Sequence, residues 1–378
     1  MSSLYFNNAF SKQPLPEVVA AMQPYLRDEF ENPLTESEGA DRIRAAIQKA
    51  RENVAALVGA KAGEIYFVSS GTEANNWALK GSVWNKKRNH FVISAVEHFS
   101  VYQTAQYLNR QGLDLNIMPV SPAGIVDPTD LGRAIRPATV LVSIQSASDE
   151  IGVIQNVDQI AALKQRFPDV LFHTDAIQFV CYEGLDLSRL PFDLVSLSSN
   201  ALYGPPGIAA LYIREGTRTV PLIHGGMQEE GMRPGLQSPS LAAGFGKAAE
   251  IAMTRKLKWK RDLLDRRMQL FGLADRLGVP IAGSRDQRIA DNVLLLTDVD
   301  GEAMLTLLLE RGVRASSGST CYPYAQKESH VLMALGIEPE QTRGSILLTP
   351  GVDQTEKDIS LFCGYFEETL THLRRIKP

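Results

Sequence analysis

Five short segments of this 378-residue chain carry residues whose types and spacing can do chemistry. Ser69-Ser-Gly-Thr-Glu-Ala-Asn-Asn76 joins an apolar run to a helical one. Small residues there let backbone N–H groups at a helix start approach a phosphate, and Gly71 and the Thr72 hydroxyl serve that approach; the same turn also serves as a plain helix cap. His98 follows a strand and offers an imidazole, either to a ligand or to an ordinary hydrogen bond. His173-Thr-Asp-Ala-Ile-Gln178 ends a buried strand in Asp175, a carboxylate that is expensive to bury without a partner unless it merely caps a helix. Ser198 and Asn200 precede Ala201 and a Gly-Pro-Pro-Gly turn ending at Gly207. Cys321 closes the run Arg314-Ala-Ser-Ser-Gly-Ser-Thr-Cys. A thiolate on such a Ser/Gly loop is a nucleophile, although a lone cysteine is often just a small hydrophobe. Pro323 and its flanking tyrosines stiffen the chain beyond that loop.

Alternating helical and short apolar segments between residues 40 and 215 would position these groups. The pattern predicts helices over Ala45–Val58 and from Glu73 to Gly81. It predicts strands at 64–68, 90–94, 139–144, 170–174, 194–197 and 208–213. Strands spaced by helices of that length imply βαβ units and a doubly wound, mostly parallel sheet, an α/β fold whose ligands sit at the strands' carboxyl ends. A long charged helical stretch over 240–278 leads to a second, smaller α/β region. That region has strands near 292–296 and 345–349 and helices at 301–311 and 354–374. The expected domains are a large one over 15–255 and a small one built from 1–14 and 256–378.

Composition narrows the function classes. Hydrophobic residues make up 44% and charged residues 22%, the mix of a soluble globular protein. The net charge of −4 is spread along the chain, so neither nucleic acid nor an anionic membrane is the expected partner. No run of apolar residues reaches membrane-spanning length, and the N-terminus lacks a signal-peptide pattern. The three cysteines are too far apart for a CxxC metal site or a disulfide framework, which fits a cytoplasmic location.

Taken in order, these motifs resemble the cysteine desulfurase branch of the class V aminotransferases, fold-type-I enzymes dependent on pyridoxal 5'-phosphate (PLP). The resemblance runs from Tyr5 to Gly351. It implies that Gly71, Thr72, Ser198 and Asn200 hold the cofactor phosphate, that His98 stacks on the ring and acts in catalysis, and that Asp175 pairs with the pyridine nitrogen while Gln178 meets its O3′. It implies that Cys321 takes the substrate's sulfur as a persulfide. A homodimer and a sulfur-acceptor or iron–sulfur scaffold protein are implied as partners, beside a small amino acid substrate.

The same comparison marks departures, and they cluster in the site. Ala201 stands where the family has the lysine that holds the PLP aldehyde as a Schiff base, so any cofactor on this chain would be bound non-covalently. Leu347 stands where an arginine grips the substrate's α-carboxylate, and Asp149 where an asparagine lies beside ring and substrate. Both changes disfavour the usual amino acid. Phe10 and Lys12 replace small residues and are expected at the site mouth, with Lys12 or Arg233 as substitute carboxylate partners. Leu236 replaces a threonine that reaches the partner subunit's phosphate. Three readings are open: an enzyme of this lineage whose lysine has been replaced, a desulfurase-like dimeric scaffold or sulfur relay without turnover, and another class V aminotransferase or C–S lyase.

Overall fold

The computed structural model describes residues 4–83, 88–318 and 328–376. Among these, eleven strands form three sheets: β1 Leu4–Tyr5, β2 Ile65–Val68, β3 His90–Ser94, β4 Asp114–Met118, β5 Thr139–Ser143, β6 Leu171–Asp175, β7 Leu194–Ser198, β8 Ala209–Ile213, β9 Val293–Leu296, β10 Val313–Arg314 and β11 Ser345–Leu348. The main sheet has seven strands in the order β2-β8-β7-β6-β5-β3-β4. Its members from β7 to β4 run parallel, and β8 lies antiparallel to both neighbours. The expected doubly wound, mostly parallel α/β fold is what the chain adopts.

Residue chemistry explains the layering. Strands β3, β5 and β8 are buried at every position, as sheets covered on both faces require. One face carries a large apolar core that includes Ile43, Val54, Val92, Phe172 and Phe245. The other buries Trp77, Ala78, Phe91 and Leu211 beneath the helix Gly71–Gly81. Helix Pro239–Leu277 continues for 39 residues. Its first half packs against helix Glu38–Leu57, where Gly246 lies so close that a Cβ would meet the Ala50 Cα at 2.4 Å. Its second half enters a separate apolar core with Leu270, Phe271, Ile346, Phe362 and Phe366.

The N-terminus is stitched into several parts of the molecule at once. β1 pairs with β10. The Asn8 amide donates to the Thr349 carbonyl at 2.8 Å, and Ala9 N–H donates to the Thr349 hydroxyl. Asn200 then holds the next residues with both ends of its amide: Oδ1 accepts from Lys12 N–H and Nδ2 donates to the Phe10 carbonyl, each at 3.2 Å.

Candidate active site

A cleft enclosing about 710 Å³ with its open mouth lies at the carboxyl ends of the parallel strands. Its walls include Phe10, Gly71, Thr72, His98, Asp149, Asp175, Gln178, Ser198, Asn200 and Ala201. Ten of the site residues singled out in the sequence therefore converge on one space. Leu347 does not line it, and Cys321 lies outside the described residues. Asn75, Gln145, Ala147, Ile177 and Ala9 line it as well. Asn75 belongs to the Ser69–Asn76 segment, but nothing in its spacing marks it as a wall residue.

Helix Gly71–Gly81 starts at this cleft. Ser70 is its cap, accepting from Glu73 N–H with an extended backbone, so Gly71 and Thr72 supply the first free N–H groups. Asp175 ends β6 as its strand pattern requires. Its Oδ1 accepts from Ile177 N–H at 3.0 Å, and its Oδ2 accepts from the Asn75 amide at 2.6 Å. Burial pushes this carboxyl above its ordinary value despite the opposing pull of His98 and Asn75. A cation placed against it would offset that cost.

His98 caps helix Phe99–Arg110. Its Nδ1 accepts from Ser100 N–H at 3.1 Å, which assigns the ring proton of the neutral form to Nε2. Gln178 donates from Nε2 to the Ala9 carbonyl at 3.0 Å, joining the cleft wall to the N-terminal segment. Ala201 sits in the short 3-10 turn Asn200–Leu202, followed by Tyr203 in the left-handed conformation at φ 61°. Ala201 lines the cleft and is almost fully buried.

Two buried carboxyl groups adjacent in the chain to wall residues His98 and Asp149 are pushed upward. Glu97 is pushed to about 8 by burial, although Ser94 and Gln145 N–H hydrogen-bond it. Glu150, beside Asp149, is likewise pushed to about 8 by burial and accepts from the Ser329 hydroxyl at 2.5 Å.

Lys12 is the main correction to the sequence reading. It is not at the mouth but buried, with its ammonium 3.2 Å from Asp291 Oδ2 and donating to the Tyr182 hydroxyl at 2.8 Å. Cys181 Sγ lies 3.6 Å away, and the rings of Tyr182 and Tyr203 face the charge. Burial alone would lower its pKa, but the surrounding Cys181, Asp291 and Tyr203 outweigh that and hold it well above the ordinary value. A protonated amine so placed is neither a nucleophile nor a carboxylate clamp for the cleft. Arg233 is also committed, to Glu73 at 2.9 and 3.2 Å. Leu236 is 71% exposed and does not line this cleft.

The family described as Aminotransferase class-V matches residues 4–361. The chain belongs to the class V aminotransferase family. Within it, the chain is 36% identical to the cysteine desulfurase IscS of Dictyoglomus turgidum over 99% of its length and 96% of that protein's. It is 37% identical to the IscS of Methanosarcina thermophila, over all of this chain and 94% of the relative. Among solved structures, a NifS-like protein superposes with a TM-score of 0.93 at 29% identity, covering 98% and 100% of the two chains. SspA in complex with cysteine superposes at 0.81 and 29%, covering 93% and 99%. No described helix of this class V chain is long and apolar enough to cross a membrane, and no described cluster of His, Cys, Asp and Glu can hold a metal ion.

Proposed function

We propose that the chain is a sulfur-handling protein of the desulfurase branch that holds PLP reversibly in this cleft. The observation carrying the reading is the donor set around one space: helix N–H groups with Thr72 and Ser198 for a phosphate, and a buried Asp175 whose carboxyl has no lysine or arginine against it among the described residues. Those residues fit the cofactor. Gly71, Thr72 and Ser198 would hold its phosphate, Asp175 its ring nitrogen, and Gln178 its ring oxygen. Asn200 has both ends of its amide engaged by the N-terminal segment, so its part is to fix that wall. The cofactor would supply an electron sink for a carbon next to the substrate's nitrogen. His98, with its Nε2 proton, is positioned to hold or move a proton in the cleft.

The sulfur step assigned to Cys321 is balanced without an external oxidant. The thiolate attacks the substrate's sulfur and forms an S–S bond. The C–S bond breaks with its electron pair left on carbon, and that carbon takes a proton. Ala201 supplies no amine to attach the cofactor or shuttle protons, which favours a second reading, a scaffold or relay that passes sulfur without turnover. A homodimer and a protein acceptor of sulfur belong to the same proposal, and exposed Leu236 and Met227 offer apolar surface on the segment where the family completes its sites.

Equilibrium dialysis with PLP tests the cofactor reading. The chain should bind PLP saturably and lose it on exhaustive dialysis, whereas Ala201→Lys should retain it through dialysis. If neither protein binds it, the cleft is not a PLP site. Persulfide labelling of Cys321 after exposure to a sulfur donor tests the relay, and an unlabelled thiol rules it out.

A further inference from the structure

The charges lining the cleft point to a substrate class. Asp149 and Asp175 supply two carboxylates and His98 one imidazole, and no lysine or arginine is among the described lining residues. Lys12, Arg233 and Arg288 are spent elsewhere. Lys12 is closed around Asp291, and Arg233 is held by Glu73. Buried Arg288 is bonded to Asn292 at 2.8 Å and to backbone carbonyls.

Leu347 deepens the effect. It is fully buried in strand β11, opposite Leu294 of β9, and its N–H donates to the Ser316 carbonyl at 2.7 Å. It packs in an apolar cluster with Ile151, Val153, Val331 and Leu332, against which Ala9 and Phe10 of the cleft wall also rest. The side of the cleft behind Phe10 is therefore hydrocarbon. Asp149 is held in place at its edge, because buried Asn292 donates to the carbonyls of Asp149 and Glu150 at 3.1 and 3.2 Å. Gly152, at φ 69°, leaves room for that amide where a Cβ would meet it at 2.5 Å.

We propose that this cleft takes a primary amine with no carboxylate on its α carbon, an aminothiol of the cysteamine kind rather than an α-amino acid. An ammonium entering the cleft meets Asp149, and Asp175 as well when no cofactor ring occupies it. An α-carboxylate on the Phe10 side meets hydrocarbon and Asp149, with no lysine or arginine among the described lining residues to pair with it. The inference rests on the proposed function only in placing a nitrogen substrate at this cleft.

The test uses two ligand pairs that differ by the carboxylate alone, cysteamine against cysteine and ethylamine against alanine. Each is titrated by calorimetry into the chain with and without PLP. In both pairs the amine should bind at least about ten-fold tighter, the factor that a single lost charge-assisted contact sets. Asp149→Asn should narrow the ratio, and Leu347→Arg combined with Asp149→Asn should invert it. If the arginine does not fold, Asp149→Asn alone decides. Equal or tighter binding of the amino acids, no binding by either amine, or an unchanged ratio in Asp149→Asn overturns the proposal. The ethylamine pair contains no sulfur and the cofactor-free titration contains no PLP, so this result stays separate from a failure of the sulfur or PLP readings.

Discussion

Removing either partner of the Lys12–Asp291 pair should be among the most damaging single changes available in this protein. The two side chains are 0% and 2% exposed. Asp291 Oδ2 accepts from both Lys12 and the Tyr182 hydroxyl, at 3.2 and 2.7 Å, while its Oδ1 has no partner. In Lys12→Met the carboxylate keeps one neutral donor. In Asp291→Asn the ammonium keeps a hydroxyl, a thiol and two ring faces, with no countercharge. Breaking a buried pair from one side costs roughly 3–5 kcal/mol, so each variant should lose about that much stability. The double variant Lys12→Met/Asp291→Asn removes both charges together, and its loss should fall short of the sum by about 2 kcal/mol or more. Urea unfolding followed by far-ultraviolet circular dichroism would measure all four proteins. Because Lys12 N–H is held by Asn200 and the adjacent backbone carries Phe10 into the cleft, the single variants should also bind PLP more weakly. Single-variant losses below about 1 kcal/mol, or strict additivity, would refute the idea that this pair is a coupled buried unit.

Three further outcomes are expected. Asn75→Ala removes the amide donating to Asp175 and Ser100; it should raise the Asp175 pKa further, visible by carboxyl NMR, and cost about 1–3 kcal/mol. Gly246→Ala should cost about 1–3 kcal/mol by forcing helix Pro239–Leu277 off Ala50, read as a lowered unfolding midpoint. Stability should also depend on pH in a signed way. Glu97 and Glu150 are raised from 4.5 to about 8, so the folded state holds protons that the unfolded state has released, and stability should fall as pH rises from 4.5 to 8. His173, lowered by burial from 6.5 to about 3, works oppositely and should add stability as pH rises from 3 to 6.5. Unfolding midpoints should therefore drop most steeply between pH 6.5 and 8, and Glu97→Gln should flatten that drop.

Much of the sheet was readable because strands such as His90–Ser94 and Thr139–Ser143 are continuous apolar runs, a pattern fixed by burial on both faces. Strand Asp114–Met118 escaped because it is a sheet edge with only Met118 buried, so its sequence carries no such run. The two-residue strands Leu4–Tyr5 and Val313–Arg314 are too short for any periodicity. Ten cleft residues were placed by local motifs, since each motif ends a strand or starts a helix at the same edge of the sheet. Lys12 was misread for a different reason. A lysine near a chain terminus reads as solvated, and its burial depends on Asp291, 279 positions away. Nothing near either residue in the sequence announces the other.

The stitching of the N-terminal segment sets an order of events during synthesis. Phe10 and Ala9 become cleft walls only when Asn200 and Thr349 exist to hold them. Those contacts span 190 and 340 residues of chain. The seven-stranded sheet can close once Ile213 has emerged, but the N-terminal segment still lacks its Thr349 contacts at that point. A growing chain can therefore hold every strand of the sheet before Thr349 exists and still have no finished cleft.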